Sequence, residues 1–533
     1  MTAESAPPAS SNPQKSEKSP ARISRWHIAK SVLSNWSGLT VNVLVAFWMI
    51  PFVVHHLGDS AYGIWALVLQ LTGYLGVVDT GLRSAIVRFV ASYHAKKDED
   101  GLNKLLNSIC TVYTMFAPVC ILVGAGLALF ALPHLHIPAD LLRKAQITIL
   151  ITVTILACDF VFAIFHAGLA GLSRWDLTNA VSITSILLRT ALIVIFLKLG
   201  FGLVTLAILQ LTTTVLAYCT ETILLYRLVP AFRFRWQFPD RNFFKPIVEH
   251  SWYSFLLSLA NRVNYQVDTV VIAAFLPIGE VTFYVIGLRL VEYLRDILNS
   301  TTMIIAPLAS AADAVGEAHQ VGAMLIRGTK YSLIVGFFGT ALLLGVGRDF
   351  IRLWMGPRFA GPSGTVLVIL SIGLIVSVTQ YASSHILYGL SKHRLNLNWT
   401  IVESVLNLGF SLGLVRHYGI FGVAAGTTVA NALVRGFFFP NSFLKFLNVQ
   451  WKDYLGHAVA PALAPAAVFW GIIETWKKYL GIANYAALAI AVVVAFLIST
   501  PFLWSLGLDR SDRSVIWMRG KQMVLRAESA ASD

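Results

Sequence analysis

An all-helical polytopic membrane protein with about 14 transmembrane helices is what this sequence predicts, and three observations carry that expectation. Only 13% of the 533 residues are charged, against about 25% in a typical soluble chain. The mean hydropathy is +0.69, which leaves too little polar surface to coat a soluble body. Residues 31–58, 60–78, 105–133, 199–220, 359–391, 454–473 and 479–508 contain no Asp, Glu, Lys or Arg at all, and a span needs about 20 mostly apolar residues.

Taken in chain order, residues 1–24 are rich in Ser, Pro, Ala and Lys. They cannot bury enough apolar surface to fold, so they are expected to be a disordered cytoplasmic N-terminus, and they have no apolar core of the signal-peptide kind. Residues 25–230 hold six spans: 31–58, 60–78, 105–133, 199–220 and the lightly charged runs 145–170 and 178–197. A basic stretch, 231–250, links them to residues 251–450, which hold 252–276, 281–306, 331–347, 359–391, 398–415 and 419–440. Two more spans lie in 451–508, and 509–533 is a basic tail.

Orientation follows from the basic residues. With the N-terminus inside, 28 of the 41 Lys and Arg fall on the inner side. Nine fall outside (Arg143, Lys144, Lys198, Arg348, Arg352, Arg358, Arg416, Lys477 and Lys478), and Arg189, Arg262, Arg289 and Arg295 lie within spans. The excess of inner charges places both termini in the cytoplasm. It also accounts for the net charge of +14, which serves orientation and lipid headgroups and gives no reason to invoke nucleic acid. In the loop 227–250, which contains the linker, Arg227, Arg233, Arg235, Arg241 and Lys245 lie among Phe232, Phe234, Trp236 and Phe238, the pattern of an interfacial segment. Arg348 to Arg358, with Trp354, reads as an interfacial anchor on the outer side.

The chain repeats itself. Gly171-Leu172-Ser173-Arg174 recurs as Gly389-Leu390-Ser391-Lys392, and Gly200-Phe201-Gly202 as Gly419-Ile420-Phe421-Gly422. These matches indicate a duplicated six-span unit. Six is even, so both copies enter the membrane the same way and form two parallel lobes with a site near the midplane between them. Spans thirteen and fourteen lie outside the duplication.

Charges at membrane depth are the strongest functional signal, because each costs at least about 2.5–3.5 kcal/mol at a helix centre unless it faces a cavity or a partner. In span eight, Arg289, Glu292, Asp296 and Asn299 form one helical stripe with Arg295 beside it. Arg289 and Glu292 either neutralise each other or line a cavity. Span seven presents Asn261, Asn264, Tyr265 and Asp268 on one face, with Arg262 adjacent; Arg262 either snorkels to the headgroups or joins that cavity. Asp268 either pairs with an arginine of span eight or takes up a proton or sodium ion. At the repeat offset, Thr178, Ser182, Ser185 and Arg189 of span five correspond to Asn396, Thr400, Glu403 and Asn407 of span eleven.

Enzymatic readings find no support. No complete GxGxxG, P-loop or HExxH signature is present, and no cofactor or metal is expected. His55, His56, His134 and His136 have no ligand-spaced carboxylate or cysteine. Cys110, Cys120, Cys158 and Cys219 lie in apolar stretches as small core residues.

The pattern Gly58-Asp59-x-x-Tyr62-Gly63, then Asp79-x-Gly81-Leu82 with Arg88, then Asp268, then Leu353-Trp354-Met355-Gly356 resembles the polysaccharide transporters of the multidrug, oligosaccharidyl-lipid and polysaccharide exporter superfamily. The resemblance covers nearly the whole chain. It implies a bacterial inner-membrane flippase that moves an undecaprenyl-diphosphate-linked oligosaccharide to the outer leaflet by alternating access. Such a flippase would serve O-antigen, capsule or exopolysaccharide synthesis, beside a polysaccharide polymerase or ligase. On that reading Arg262, Arg289, Arg295 and Arg189 form a cationic cavity for the diphosphate, since guanidinium groups match phosphate oxygens. Asp268, Glu292 and Glu403 are candidates for ion coupling or charge pairing, and Asn261, Asn264, Asn299 and Asn407 for the polar cavity face. The alternatives are a cation-coupled drug exporter of the same superfamily, which calls for carboxylates and aromatics in place of arginines, and a flippase for lipid-linked cell-wall precursors.

Overall fold

The computed structural model describes residues 25–77, 98–230, 241–316 and 318–514, with shorter pieces of 86–96, 233–238 and 517–518. The expectations for residues 1–24, for Asp79, Gly81, Leu82 and Arg88, and for most of the tail beyond 514 lie outside them. All regular structure among the described residues is helical. The longer helices are α1 (Arg25–Leu57), α2 (Asp59–Leu75), α3 (Glu99–Gly126), α4 (Ala139–Gly171), α5 (Trp175–Lys198), α6 (Leu203–Leu228), α7 (Arg241–Phe275) and α8 (Gly279–Thr302). After them come α9 (Ile305–Ala314), α10 (Ala318–Met355), α11 (Pro362–Val378), α12 (Tyr381–Gly389), α13 (His393–Leu433), α14 (Phe439–Phe446), α15 (Ala460–Tyr479) and α16 (Tyr485–Phe502).

Ten helical segments among the described residues are long and apolar enough to cross a membrane. The helices α2, α7 and α8 are not among them. The first has only 17 residues, and the other two carry the polar stripes. In α8 the apolar side is nonetheless complete: Val281, Val285, Leu288, Val291 and Leu298 are buried at helical spacing, so the charged side faces inward space.

Helices α1 to α6 pack mainly on one another, α7 to α13 likewise, and α15 and α16 lie against α10. The two groups meet where α2 packs on α7 and α8. At Gly63 of α2 an added Cβ would collide with the Ile278 carbonyl and lie 3.3 Å from Thr282 Oγ1, so only glycine permits this approach. The repeated tetrapeptides fold alike. Ser173 and Ser391 adopt φ of 59° and 56°, a left-handed conformation uncommon outside glycine. In each turn the next residue donates its N–H to the carbonyl five positions back, Arg174 to Leu169 and Lys392 to Leu387. Gly200 and Gly419, also repeat-related, both have positive φ, and Gly419 breaks the run of α13.

The linker is held in a way that ring-and-arginine alternation does not suggest. Asn103, Asn107 and Thr111, one turn apart on α3, accept the backbone N–H groups of Arg233, Arg235 and Gln237 at 3.3, 2.9 and 3.1 Å. Eight helical residues rise about 12 Å and four extended residues about 13 Å, so the two registers coincide. Asn107, 3% exposed, also donates Nδ2 to the Arg233 carbonyl at 3.0 Å. Trp236 and Phe238 remain exposed. Asn107→Ala removes two bonds and is expected to cost about 1–3 kcal/mol, read as faster trypsin cleavage at Arg233 and Arg235.

The start of the basic tail is an acidic clasp. Lys330 of α10 is 1% exposed and donates to Asp509 at 2.7 Å and Asp512 at 2.5 Å, while the Tyr331 hydroxyl donates to Asp512 at 2.6 Å. Burial works against the Asp512 charge. Its bonds from Lys330, Tyr331 and the Asp509 backbone outweigh that and hold its carboxyl below the usual carboxylate range. The depressed value means the clasp contributes its stability above the ordinary carboxylate range and loses it as pH falls through the folded-state value. Asp512→Asn is expected to cost about 1.5–3 kcal/mol at neutral pH. Thermal midpoints of variant and wild type should then converge on acidification.

Candidate functional site

The polar faces of α7 and α8 look onto one interior. Arg289 Nη1 pairs with Glu292 Oε2 at 2.9 Å, the mutual neutralisation open to an i, i+3 pair. Glu292 also acts electrostatically on Arg262 and Arg295, which makes it the centre of the charged group. Arg262 donates to Gln266 at 2.7 Å and its carbonyl accepts from the Tyr74 hydroxyl at 3.3 Å, so it is turned inward toward α2. Arg295 lies over the Tyr265 ring at 4.1 Å, and its guanidinium has no hydrogen-bond acceptor among the described residues.

Three cavities among the described residues take the candidate arginines other than Arg289. A cavity of about 410 Å³ takes Asn261, Tyr265, Arg295, Asp296, Asn299 and Asn396. One of about 330 Å³ takes Arg262 with Asp159 and Gln210. A third, of about 320 Å³, takes Arg189 with Asn42, Tyr62 and again Gln210. Arg289 lines none of these three. Arg295, Asn261 and Asn299 are thus brought together, while Arg262 and Arg189 stand in separate spaces that both reach Gln210.

Among the described residues, Asp268 pairs with no arginine. It is 2% exposed, and its Oδ2 accepts from the Tyr284 hydroxyl at 2.5 Å and from Thr427 Oγ1 at 2.7 Å. Thr427 Oγ1 also lies 3.0 Å from Asn407 Oδ1 and 3.2 Å from the Val423 carbonyl, three acceptors for one hydroxyl proton. Asn407 Nδ2 is committed to the Asn264 carbonyl at 2.7 Å, which points the amide oxygen into the cluster, where Ser411 Oγ reaches it at 3.1 Å. Asp268 Oδ1 is buried with no partner. Oxygen acceptors outnumber protons here, and such a set suits a hard, oxygen-ligated cation.

Glu403 holds a different charge. Arg435 Nε donates to Glu403 Oε2 at 2.6 Å, and the same guanidinium reaches Asn396 at 3.0 Å and Thr400 at 2.8 Å. The repeat face of span eleven is therefore the seat of an arginine from the end of α13. Sequence reasoning missed Arg435 and counted it with the inner-side charges; the signal was a single charge in the run 419–440. Lys330 was missed in the same way. Asp159, bonded to the Tyr218 hydroxyl, and the pair His166–Glu221 at 2.9 Å were also missed, again as isolated charges beside apolar runs.

The end of the bundle opposite Asn299 and Asn396 is closed. Trp354 Nε1 donates to the Phe47 carbonyl at 2.6 Å, Arg358 pairs with Asp59, and Thr282 Oγ1 donates to the Asp59 carbonyl at 2.7 Å. His136 exchanges backbone bonds with Ala273 and Ile278 at 3.1 and 3.2 Å. Around Trp354, expected as an interfacial anchor, the indole also clasps the two helix groups together by reaching a carbonyl of α1.

Comparisons with known proteins follow this geometry. The sequence profile of the family described as polysaccharide biosynthesis protein matches residues 28–312. The Bacillus subtilis membrane protein EpsK, itself uncharacterized, is 20% identical over 444 residues, covering 83% of this chain and 88% of its own. The Haloferax volcanii protein named probable low-salt glycan biosynthesis flippase Agl15 is 21% identical over 236 residues, 43% of this chain and 48% of its own. Among solved structures, lipid II flippase MurJ in an inward closed conformation aligns with a TM-score of 0.69 at 14% identity, covering 90% of this chain and 98% of that one. An inward-facing multidrug resistance MATE family transporter of the MOP superfamily aligns at 0.58 and 16%, covering 77% and 95%. At such identities the two structures establish a shared fold. The profile covers more than half of the residues, and on that match the chain belongs to the polysaccharide biosynthesis protein family.

Proposed function

We propose that this protein is a flippase that carries an undecaprenyl-diphosphate-linked oligosaccharide from the inner to the outer leaflet of a bacterial inner membrane by alternating access. It feeds surface polysaccharide synthesis and hands its cargo to a polymerase or ligase. In this reading fourteen spans form two parallel six-helix lobes, residues 25–230 and 251–450. The linker 231–250 joins them, a further pair lies in 451–508, and both termini are cytoplasmic. The flippase named in Haloferax volcanii supports it, as does the fold shared with MurJ.

The observation that carries the proposal is Arg295. Tyr265 covers one face of its guanidinium at 4.1 Å, and its edge donors have no acceptor among the described residues. The cavity beside it is walled by Asn261, Asn299 and Asn396. A free guanidinium edge takes paired phosphate oxygens, and carboxamides take sugar hydroxyls. With the Asp59–Arg358 end outside, the clasped end faces outward and the Arg295 cavity lies toward the cytoplasmic leaflet that supplies the cargo. Arg289, already paired with Glu292, contributes through Glu292 and does not itself grip phosphate. The Asp268 cluster is the seat of the coupling cation.

The test is leaflet transfer of a diphosphate-linked oligosaccharide in sealed proteoliposomes. Arg295→Ala is expected to slow it about 10- to 150-fold, the loss of a charged hydrogen bond of about 1.5–3 kcal/mol. Unchanged transfer in a correctly inserted variant would exclude Arg295 as the diphosphate ligand. Movement of cationic dyes without any lipid transfer would favour the drug exporter.

A further inference from the structure

Two titratable pairs lie along the seam between α4 and α6, away from the Asp268 cluster and the Arg295 cavity. Asp159 of α4 accepts from the Tyr218 hydroxyl of α6 and faces the cavity of Arg262. Seven residues further along α4, about 10 Å of helix, His166 Nδ1 lies 2.9 Å from Glu221 Oε1. Glu221 is three residues beyond Tyr218, so both project from one side of α6.

The second pair is asymmetric. The Glu221 side chain is 5% exposed and that of His166 is 32% exposed. Glu221 Oε2 is fully buried and has no hydrogen-bond partner among the described residues, and neither has the adjacent Thr222 hydroxyl. A buried carboxylate oxygen without a donor is costly, and the charge is tolerated only if the imidazole opposite is protonated or the carboxyl itself carries the proton. In both cases one proton resides on the pair. Imidazole is the side chain whose ordinary titration falls near neutrality, and its open edge gives that proton a way in and out.

Other titratable and charged groups lie on the elements packed here. They include Cys158 and Asp159 on α4, Tyr218, Cys219, Tyr226 and Arg227 on α6, Lys104, Cys110 and Tyr113 on α3, Tyr62 and Tyr74 on α2, and Arg174 and Asp176 at the start of α5. None of them bonds Glu221 Oε2, so among the described residues His166 is the carboxyl's one hydrogen-bond partner.

We propose that His166 and Glu221 form a proton-binding site in the N-terminal half of the molecule, distinct from the cation site at Asp268. Its ligand is a single exchangeable proton that enters by His166 and is shared with Glu221. Tyr218, one turn away, sets the site beside Asp159 and the Arg262 cavity.

Proton uptake by the purified full-length protein, without lipid substrate, tests this independently of the flippase reading. The pH is stepped from about 8 to about 5, on either side of the ordinary imidazole value near 6.5, and uptake is followed with an indicator dye. The variant carrying both His166→Gln and Glu221→Gln keeps an amide pair in place of the ion pair and should take up about one proton fewer than wild type. Glu221→Gln alone keeps the imidazole but removes the carboxyl it shares the proton with, so its uptake curve should differ from that of wild type. If the double variant does not fold, the uptake curve of Glu221→Gln decides. Equal uptake by wild type and double variant, or an unchanged curve in the single variant, overturns the site.

Discussion

Glu403→Ala is expected to cost about 3–5 kcal/mol of stability. Arg435 is 6% exposed and Glu403 1%, and they meet at 2.6 Å. Without the carboxylate, the guanidinium keeps only the neutral oxygens of Asn396 and Thr400, and a buried cation is left without its counter-charge. Removing both partners leaves no such charge, so Glu403→Leu combined with Arg435→Leu should recover most of the loss. Thermal midpoints of the detergent-solubilised proteins provide the measurement. A double variant as unstable as the single one would show that helix packing at this seat, and not charge compensation, sets the cost.

The second large effect is on coupling. In Asp268→Asn the oxygen-rich cluster loses its only formal negative charge, while Tyr284 and Thr427 keep an acceptor. Ligand charge sets the affinity of oxygen sites for cations, and even supporting partners of metal ligands typically contribute about 10–100-fold. A direct donor such as Asp268 should fall at the upper end, with cation stimulation of transport shifted about 100-fold to higher concentration. Tyr284→Phe removes one bond to Oδ2 and leaves the charge, so its shift should be smaller. The readout is lipid transfer against sodium concentration at fixed pH, then against proton gradient at fixed sodium. A wild-type rate indifferent to both would remove the coupling role.

The helical membrane character was readable because it depends on runs of one residue class, and the recurring turns because Ser173 and Ser391 keep the same neighbours. The polar faces of α7 and α8 were readable for a similar reason: helical spacing places Asn261, Asp268, Arg289, Glu292 and Asn299 without reference to anything else. Partner choice was not. Spacing along one helix does not reveal which helix it faces, so nothing in the sequence tied Glu403 to an arginine 32 positions away, or Asp268 to Thr427 rather than to Arg295. For Trp354, an indole at a helix end is the common mark of a membrane interface, and only packing brings the Phe47 carbonyl to it. The pair Arg289–Glu292, local to one helix, was within reach of sequence reasoning.

The ladder on α3 has a consequence for sequence variation. Asn103, Asn107 and Thr111 bond the main chain of Arg233, Arg235 and Gln237, so these three rungs do not depend on which side chains the linker carries. Substitutions at Trp236 or Arg235, or a label placed there, leave every rung intact. The count of residues is what the seat enforces. Because an extended chain turns its N–H groups to alternate sides, adding or deleting one residue between 233 and 237 would present the wrong edge to the helix. This stretch can therefore drift freely in composition while its length stays fixed.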